Sequence, residues 1–173
     1  KKIYEELGGS SPILKLTNEQ SATLEAKLNQ TQVEDEYKCF VVMRCWNPRA
    51  KEVVKNVQSF SPDEIILMPL YPQYSAATSG SSIKEWKDVC KKINYNIKTS
   101  TICCYPTDQN FINAHTKEII KKIKDLKDFK LIFSAHGLPE KNIKKGDPYQ
   151  WQVEQSVKKI VESLNDEKLD WIL

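Results

Sequence analysis

The sequence has few arginines and no long apolar run. Arg44 and Arg49 are the only arginines, so the net charge of +3 comes almost wholly from lysine. The lysines are scattered along the chain, which is typical of solvated helix faces and argues against a nucleic-acid partner. Since no window of about 18 consecutive apolar residues is present, no membrane-spanning helix is predicted.

The sequence has five cysteines, an odd number, and no CxxC pair. Of the five, Cys103 and Cys104 are neighbours in a predicted strand. Neighbouring side chains of a strand point to opposite faces, so we expect these two thiols to lie apart. The pattern predicts neither a disulfide framework nor a structural zinc site, and a reducing cytoplasm is the expected compartment.

Strands that are apolar throughout alternate with amphipathic helices. The chain is 40% hydrophobic and 28% charged, a globular balance, and 173 residues suffice for one domain. This alternation predicts an α/β fold with a doubly wound parallel sheet covered on both faces. The predicted strands are Tyr37–Met43, Glu64–Leu70, Ile97–Cys103, Leu131–Ala135 and the closing LDWIL at 169–173. Three of the predicted helices have apolar residues that should face inward: Val53, Val54 and Val57 after Asn47-Pro48; Phe111, Ile112, Ile119, Ile120 and Ile123 after Thr107; and Val153, Val157, Ile160, Val161 and Leu164 after Asp147-Pro148.

Candidate functional residues follow the predicted strands, where ligands of open α/β sheets bind. They are aromatic, polar or titratable, as a large flat ligand would require. After the first strand come Arg44, Cys45 and Trp46; after the second Tyr71, Gln73, Tyr74 and Ser75; after the third Tyr105, Pro106 and Asp108; and after the fourth His136.

Each candidate also has a structural interpretation. A lone histidine at a strand end is more often a hydrogen-bonded structural residue than a catalyst, and Arg44 is also compatible with a surface ion pair. Tyrosines beside prolines often fill loop cores. The serines of TSGSS either cap a helix or help its N-terminus to hold an anion. The residues alone therefore indicate an α/β domain with a histidine-containing cleft.

Five motifs occur in a characteristic order: GGSSPI, R-x-W-x-P, PLYPQYSAATSGSS, FSAHGLP and GDPY. In this order and spacing they resemble the ferrochelatase family, and the resemblance covers the whole chain. That family inserts ferrous iron into a porphyrin, with protoporphyrin IX the expected substrate, as the last step of haem synthesis. The resemblance implies a chelatase-like, Rossmann-type three-layer αβα fold.

The resemblance also implies roles for individual residues. His136 matches the histidine of the family's SAH motif, which binds the incoming metal or accepts pyrrole protons. Asp108 and Gln109 stand where animal members carry adjacent histidines, and this departure argues against a metal-relay role for them. The remaining matches are substrate-binding positions: Tyr4 and Ser11 at a propionate or pocket edge, Arg44 and Tyr71 on the metal-entry side, and Tyr74 and Ser75 in the YPQYS signature.

Both ends of the sequence suggest a larger protein. From the resemblance we expect residues 1–164 to form an N-terminal domain and residues 165–173 to begin a second domain, which supplies the acidic partner of His136. The chain alone should then be inactive. The expected partners are porphyrin and ferrous iron, with no cofactor required, no nucleic acid, and peripheral membrane association as an alternative to a purely cytoplasmic location. An iron–sulfur cluster is left open.

Two other functions fit the same residues less well. One is a related chelatase that loads cobalt or nickel into another tetrapyrrole, and the other is a non-catalytic haem-binding domain. A serine hydrolase using Ser134 and His136 is not supported, because no nucleophile elbow surrounds Ser134.

Overall fold

The computed structural model describes residues 5–6, 8–31, 34–166 and 168–173, and most of their regular structure is helical. The helices are α1 (Ile13–Thr31), α2 (Ala50–Phe60), α3 (Ser81–Lys92), α4 (Gln109–Ile123), α5 (Glu140–Lys144) and α6 (Tyr149–Leu164). A π-helical turn, Ala76–Gly80, leads directly into α3. The strands are β1 (Glu64–Leu67), β2 (Lys98–Thr101), β3 (Leu131–Ile132) and β4 (Trp171–Ile172).

The strands form two parallel pairs. In the first, β1 pairs with β2 and Glu64 lies opposite Lys98; in the second, β3 pairs with β4 and Leu131 lies opposite Trp171. Parallel strands joined through helices show an α/β fold, as predicted from the alternation of elements. The strands are shorter than predicted, and a doubly wound sheet stays a prediction.

Residues 37–43 do not form the first predicted strand, and that prediction is wrong. Side chains of α1 form hydrogen bonds with backbone groups of this segment that a neighbouring strand would otherwise bind. The Asn29 amide exchanges two hydrogen bonds of 2.8 Å with the backbone of Tyr37. The Cys39 N–H donates to Glu25 Oε2 at 2.8 Å and is the main reason that the pKa of Glu25 lies below its usual range. The apolar run thus lies along a helix rather than in a sheet.

The chain divides into two compact units, Lys1–Pro62 with Glu85–Asn96, and Asp63–Lys84 with Ile97–Leu173. In the first unit, buried apolar side chains lie on one face of α2 and at Trp86 of α3. Val53, Val54 and Val57 were predicted to face inward, and their burial is confirmed. Among the described residues of this unit, the buried side chains are Ala50, Val53, Val54, Val57 and Trp86.

In the second unit α4 packs against α6. Ile112 of α4 is buried, as are Val153, Val157 and Ile160 of α6, which confirms the predicted inner faces of both helices at these positions. Polar side chains are buried in the same unit: Ser75, Ser79, Thr116, Gln152 and Ser156. Within the described ranges, no helix has the length and hydrophobicity needed to cross a membrane.

Candidate functional site

The loops that follow β1 and β2 lie side by side in the second unit. Ile102 N–H donates to the Leu67 carbonyl at 2.9 Å, which extends the pairing just past both strands. Farther along, Tyr105 N–H donates to the Pro72 carbonyl at 2.8 Å. Two of the predicted ligand-binding loops are therefore brought together, because parallel strands end at the same edge of a sheet.

The YPQYS loop is hydrogen-bonded to buried polar side chains of α6. Tyr74 N–H donates to Gln152 Oε1 at 2.7 Å, and Gln73 Nε2 donates to Ser156 Oγ at 2.9 Å. Ser156 Oγ also lies 2.7 Å from the Pro106 carbonyl, so one hydroxyl bridges both loops. Buried polar groups that are fully hydrogen-bonded fix a single arrangement, which here is the course of the loop.

Ser75 and Asp147 join two of the motifs, YPQYS and GDPY. Ser75, which is 0% exposed, donates from Oγ to Asp147 Oδ2 at 2.8 Å. The same carboxylate oxygen accepts Ala76 N–H at 2.9 Å, and Oδ1 accepts Tyr149 N–H at 3.1 Å. The N-terminus of the Ala76–Gly80 turn, just before TSGSS, therefore already binds an anion, the carboxylate of Asp147. These contacts give Ser75 a structural role, and its contact with substrate stays a prediction.

Tyr74 also has a close neighbour within the loop. A Cβ added at Gly80 would lie 2.6 Å from the Tyr74 hydroxyl oxygen, so the phenol lies directly against this glycine. This explains the glycine of TSGSS by close packing rather than by anion binding. The half-buried Tyr74 ring thus supports the loop, and its predicted role in substrate binding is untested.

His136 and Tyr71 are placed differently from these supporting residues. Tyr71 is 47% exposed, and His136 is exposed in the segment after β3, which ends at Ile132. Within the part of the chain that the structure describes, neither side chain has a hydrogen-bond partner. The interpretation of His136 as a hydrogen-bonded structural residue therefore finds no support. Both side chains are available to a ligand.

The side chains of Asp108 and Gln109 form hydrogen bonds at the start of α4. Asp108 Oδ1 accepts the N–H groups of Asn110 at 2.9 Å and Phe111 at 3.1 Å, so it is the N-cap of the helix. Gln109 Nε2 donates to Asn113 Oδ1 at 2.8 Å on the same helix. These contacts give both residues a structural role in α4, and the absence of a metal-relay role stays a prediction.

Cys103 and Cys104 do not point to opposite faces, and that expectation is wrong. Their Sγ atoms lie 2.9 Å apart, and both cysteines are free. The reason is that β2 ends at Thr101, so the alternation of a strand no longer applies to them. Among the described residues, no group of three or more histidine, cysteine or acidic side chains is placed to hold a metal ion.

The remaining predicted site residues belong to the first unit or lie outside the described residues. Tyr4 lies outside them. Ser11 is exposed and accepts Ile13 N–H at 3.3 Å, which places it at the start of α1. Arg44 Nε lies 3.4 Å from Glu85 Oε2 without forming a hydrogen bond. The interpretation of Arg44 as an ion-pair partner is thus confirmed, while its role in a substrate pocket is untested.

Glu85 receives both arginines of the chain. Arg49 donates to Glu85 Oε1 from Nε at 3.0 Å and from Nη2 at 2.7 Å, while Arg44 approaches the other carboxylate oxygen. The three side chains are all partly exposed, at 20% for Glu85 and just under 40% for each arginine. Sequence reasoning missed Glu85, because nothing in the pattern of α3 distinguishes it from other solvated acids.

We expect Glu85→Gln to destabilise the protein by about 1–2 kcal/mol, since it leaves two guanidinium groups near a neutral amide. Thermal denaturation at low and high salt measures this, and the loss should shrink at high salt because the interaction is screened. Glu19→Gln on α1 is the matched control and should change stability by less than about 0.5 kcal/mol. Equal effects of both substitutions would contradict the assignment.

Gln152 and Ser156 were also missed by sequence reasoning. Both lie on the inner face of α6, beside Val153 and Val157. Polar residues on an otherwise apolar helix face were the available signal, because buried polar groups require partners.

Comparison with known proteins identifies the family. The family model described as Ferrochelatase matches residues 1–173. The chain belongs to the ferrochelatase family. The fold of this ferrochelatase-family chain is therefore of the chelatase-like α/β type, and the resemblance in its motifs is confirmed.

Named relatives agree with the family assignment. A ferrochelatase of Pelagibacter ubique (strain HTCC1062) is 85% identical over 173 residues, which are 100% of this chain and 50% of the relative. Ferrochelatases of Rickettsia bellii (strain OSU 85-389) and Wolbachia sp. subsp. Drosophila simulans (strain wRi) are 45% and 48% identical, over 47% and 55% of their lengths. The chain thus spans about half the length of the curated ferrochelatases it matches.

Proposed function

We propose that this chain is part of an enzyme that inserts ferrous iron into a porphyrin, with protoporphyrin IX as the expected substrate, to form haem. The observation that carries the proposal is the match of the whole chain to the ferrochelatase family, which includes the motifs around His136 and Tyr71. The expected partners are porphyrin and ferrous iron, both as substrates. No resident cofactor is required by the proposed reaction.

The second unit supports this proposal because some of its side chains hold the YPQYS loop in place while Tyr71 stays exposed. Gln152, Ser156 and Asp147 bind the YPQYS loop and fix its backbone. Tyr71, at the start of that loop, keeps its aromatic ring exposed. A fixed backbone that presents a free aromatic side chain suits a large flat ligand, because little side-chain ordering is needed before the ring contacts it.

His136 suits the proton and metal chemistry of insertion. A free-base porphyrin carries two pyrrole N–H groups, and both protons must leave as iron enters. A neutral imidazole can accept such a proton near neutral pH, or can bind a borderline metal ion such as Fe(II). The exposed ring of His136, without a partner among the described side chains, is free for either role.

We infer that the two parallel strand pairs belong to one doubly wound sheet of the Rossmann type, with helices on both faces. The parallel register of both pairs and the helical connections support this inference. We further propose that residues 1–164 are one domain and residues 165–173 lead into a second, which supplies an acid near His136. A cytoplasmic location, with or without peripheral membrane association, is proposed from the cysteine pattern.

An insertion assay tests the proposal. Protein that joins this chain to the remainder present in its relatives is mixed anaerobically with protoporphyrin IX and ferrous iron, and loss of free-base porphyrin is followed by fluorescence. We expect turnover there and none from residues 1–173 alone. Equal rates from the two proteins would contradict the two-domain proposal. Insertion of only cobalt or nickel would favour the related chelatase, and porphyrin binding without insertion would favour a haem-binding domain.

Tyr71→Phe should weaken porphyrin binding or turnover while leaving the melting temperature nearly unchanged. The ring is 47% exposed and its hydroxyl has no partner among the described residues, so folding loses little with the hydroxyl. Porphyrin titration and thermal denaturation of the same samples measure both effects. Tyr95→Phe, in the first unit, serves as the control. A large fall in melting temperature with unchanged affinity would show that Tyr71 is structural.

A further inference from the structure

Two neighbouring thiols lie just past the carboxyl end of β2. The Sγ atoms of Cys103 and Cys104 are 2.9 Å apart, and neither is in a disulfide. Cys103 is exposed, whereas Cys104 is half-buried. A small reagent can therefore reach the first sulfur, and the second sulfur is already in contact with it.

We propose that Cys103 and Cys104 form a site of reversible thiol–disulfide exchange with small-molecule disulfides such as oxidised glutathione. The Cys103 thiolate attacks one sulfur of the reagent, whose S–S bond breaks and releases one glutathione thiolate. The Cys104 thiolate then attacks Cys103 Sγ, forming the Cys103–Cys104 bond and releasing the second glutathione. The protein loses two electrons, the reagent gains two, and the two thiol protons pass to the released glutathiones.

The geometry of adjacent residues makes this disulfide easy to reduce. Cα atoms joined by a trans peptide lie about 3.8 Å apart, closer than the roughly 4.4–6.8 Å of ordinary disulfides, so the closed form is strained. Strained disulfides have more oxidising potentials and are the labile ones. In the open form, the hydrogen bond with Cys104 raises the pKa of the Cys103 thiol, with a smaller contribution from burial, so the resting pair is protonated and the attacking thiolate is its minor form.

The dithiol is also connected to the YPQYS loop. Gln152 Nε2 lies 3.6 Å from Cys104 Sγ, and Oε1 of the same side chain accepts Tyr74 N–H at 2.7 Å. Closing the disulfide moves Cys104 Sγ toward Cys103 and changes it from a thiol to a bonded sulfur. Oxidation therefore acts on the side chain that holds Tyr74 in place.

Mass spectrometry of the native protein after treatment with oxidised glutathione tests the site. Trypsin cleavage after Lys98 and Lys117 leaves both thiols in one peptide. We expect that peptide to lose two hydrogens and to carry no glutathione, and to recover fully with dithiothreitol. In Cys103→Ser, the remaining Cys104 should keep a bound glutathione because no second thiol displaces it. Cys45→Ser, at another exposed cysteine, should leave the closure unchanged.

Two outcomes would overturn the proposal. One is a stable glutathione adduct on Cys103 of the wild-type protein, and the other is reaction no faster than that of Cys45. Hydrogen exchange tests the link to the loop: the Tyr74 amide should exchange several-fold faster in the oxidised protein but not in treated Cys103→Ser. Unchanged exchange at Tyr74 after complete closure would refute the coupling.

Discussion

His136→Ala is expected to lower iron insertion by at least the roughly 10²–10⁴-fold that a general base contributes, and further if the imidazole also binds the metal. His136 is exposed and has no hydrogen-bond partner among the described residues. The substitution should therefore remove the imidazole from the reaction without lowering the stability of the fold. Steady-state insertion of ferrous iron by the whole protein, with melting temperature and porphyrin affinity measured on the same preparation, checks both statements.

The other histidine of the chain gives a matched control. His115 is exposed on α4, with its ring centroid 4.6 Å from that of Phe111. His115→Ala deletes the same imidazole from a helix face, and turnover should stay within about twofold of wild type, as expected of a surface substitution that touches no substrate. The catalytic assignment fails if His136→Ala turns over normally, or if both variants lose activity together.

The second large effect concerns stability. Asp147→Ala should lower the free energy of unfolding by about 2–4 kcal/mol, because one carboxylate accepts hydrogen bonds from Ser75, Ala76 and Tyr149. The Ser75 hydroxyl is fully buried, so it loses its acceptor without gaining water. Chemical denaturation measures the loss.

Two further variants sharpen this test. Asp125→Ala removes an acid whose side chain is 85% exposed, and it should change stability by less than about 0.5 kcal/mol. Ser75→Ala combined with Asp147→Ala should cost clearly less than the two single losses added, because the variants remove the same hydrogen bond. Additive losses would show that Ser75 and Asp147 stabilise the protein independently.

Elements with a strong apolar pattern were predictable from the sequence. The inner faces of α2 and α6 were identified at Val53, Val57, Val153 and Val157, since a helix that buries one face repeats its apolar residues every three or four positions. The same pattern failed at residues 37–43, because an apolar run does not specify which partner covers it. Asn29 and Glu25 of α1 bind its backbone instead.

The motifs were recognisable in the sequence, but the sequence did not show which of their residues support the fold and which are exposed to a ligand. YPQYS was identified as a unit, whereas the structure separates a buried Ser75 from an exposed Tyr71. That separation depends on Asp147 and Gln152, which are more than 70 residues away along the chain and contact the loop through the fold. Sequence spacing describes neighbours along the chain, while hydrogen-bond partners across the fold are decided by packing.

By itself the sequence determined the family, the α/β class and the position of His136 after an apolar strand, because these depend on local pattern and on motif order. Only the tertiary structure decided that both arginines bind Glu85 and that the sulfurs of Cys103 and Cys104 touch. The physical reason is the same in both cases. An ion pair and a thiol contact depend on side-chain directions within a few ångströms, and those directions are fixed by where each helix or strand ends and by what packs against it.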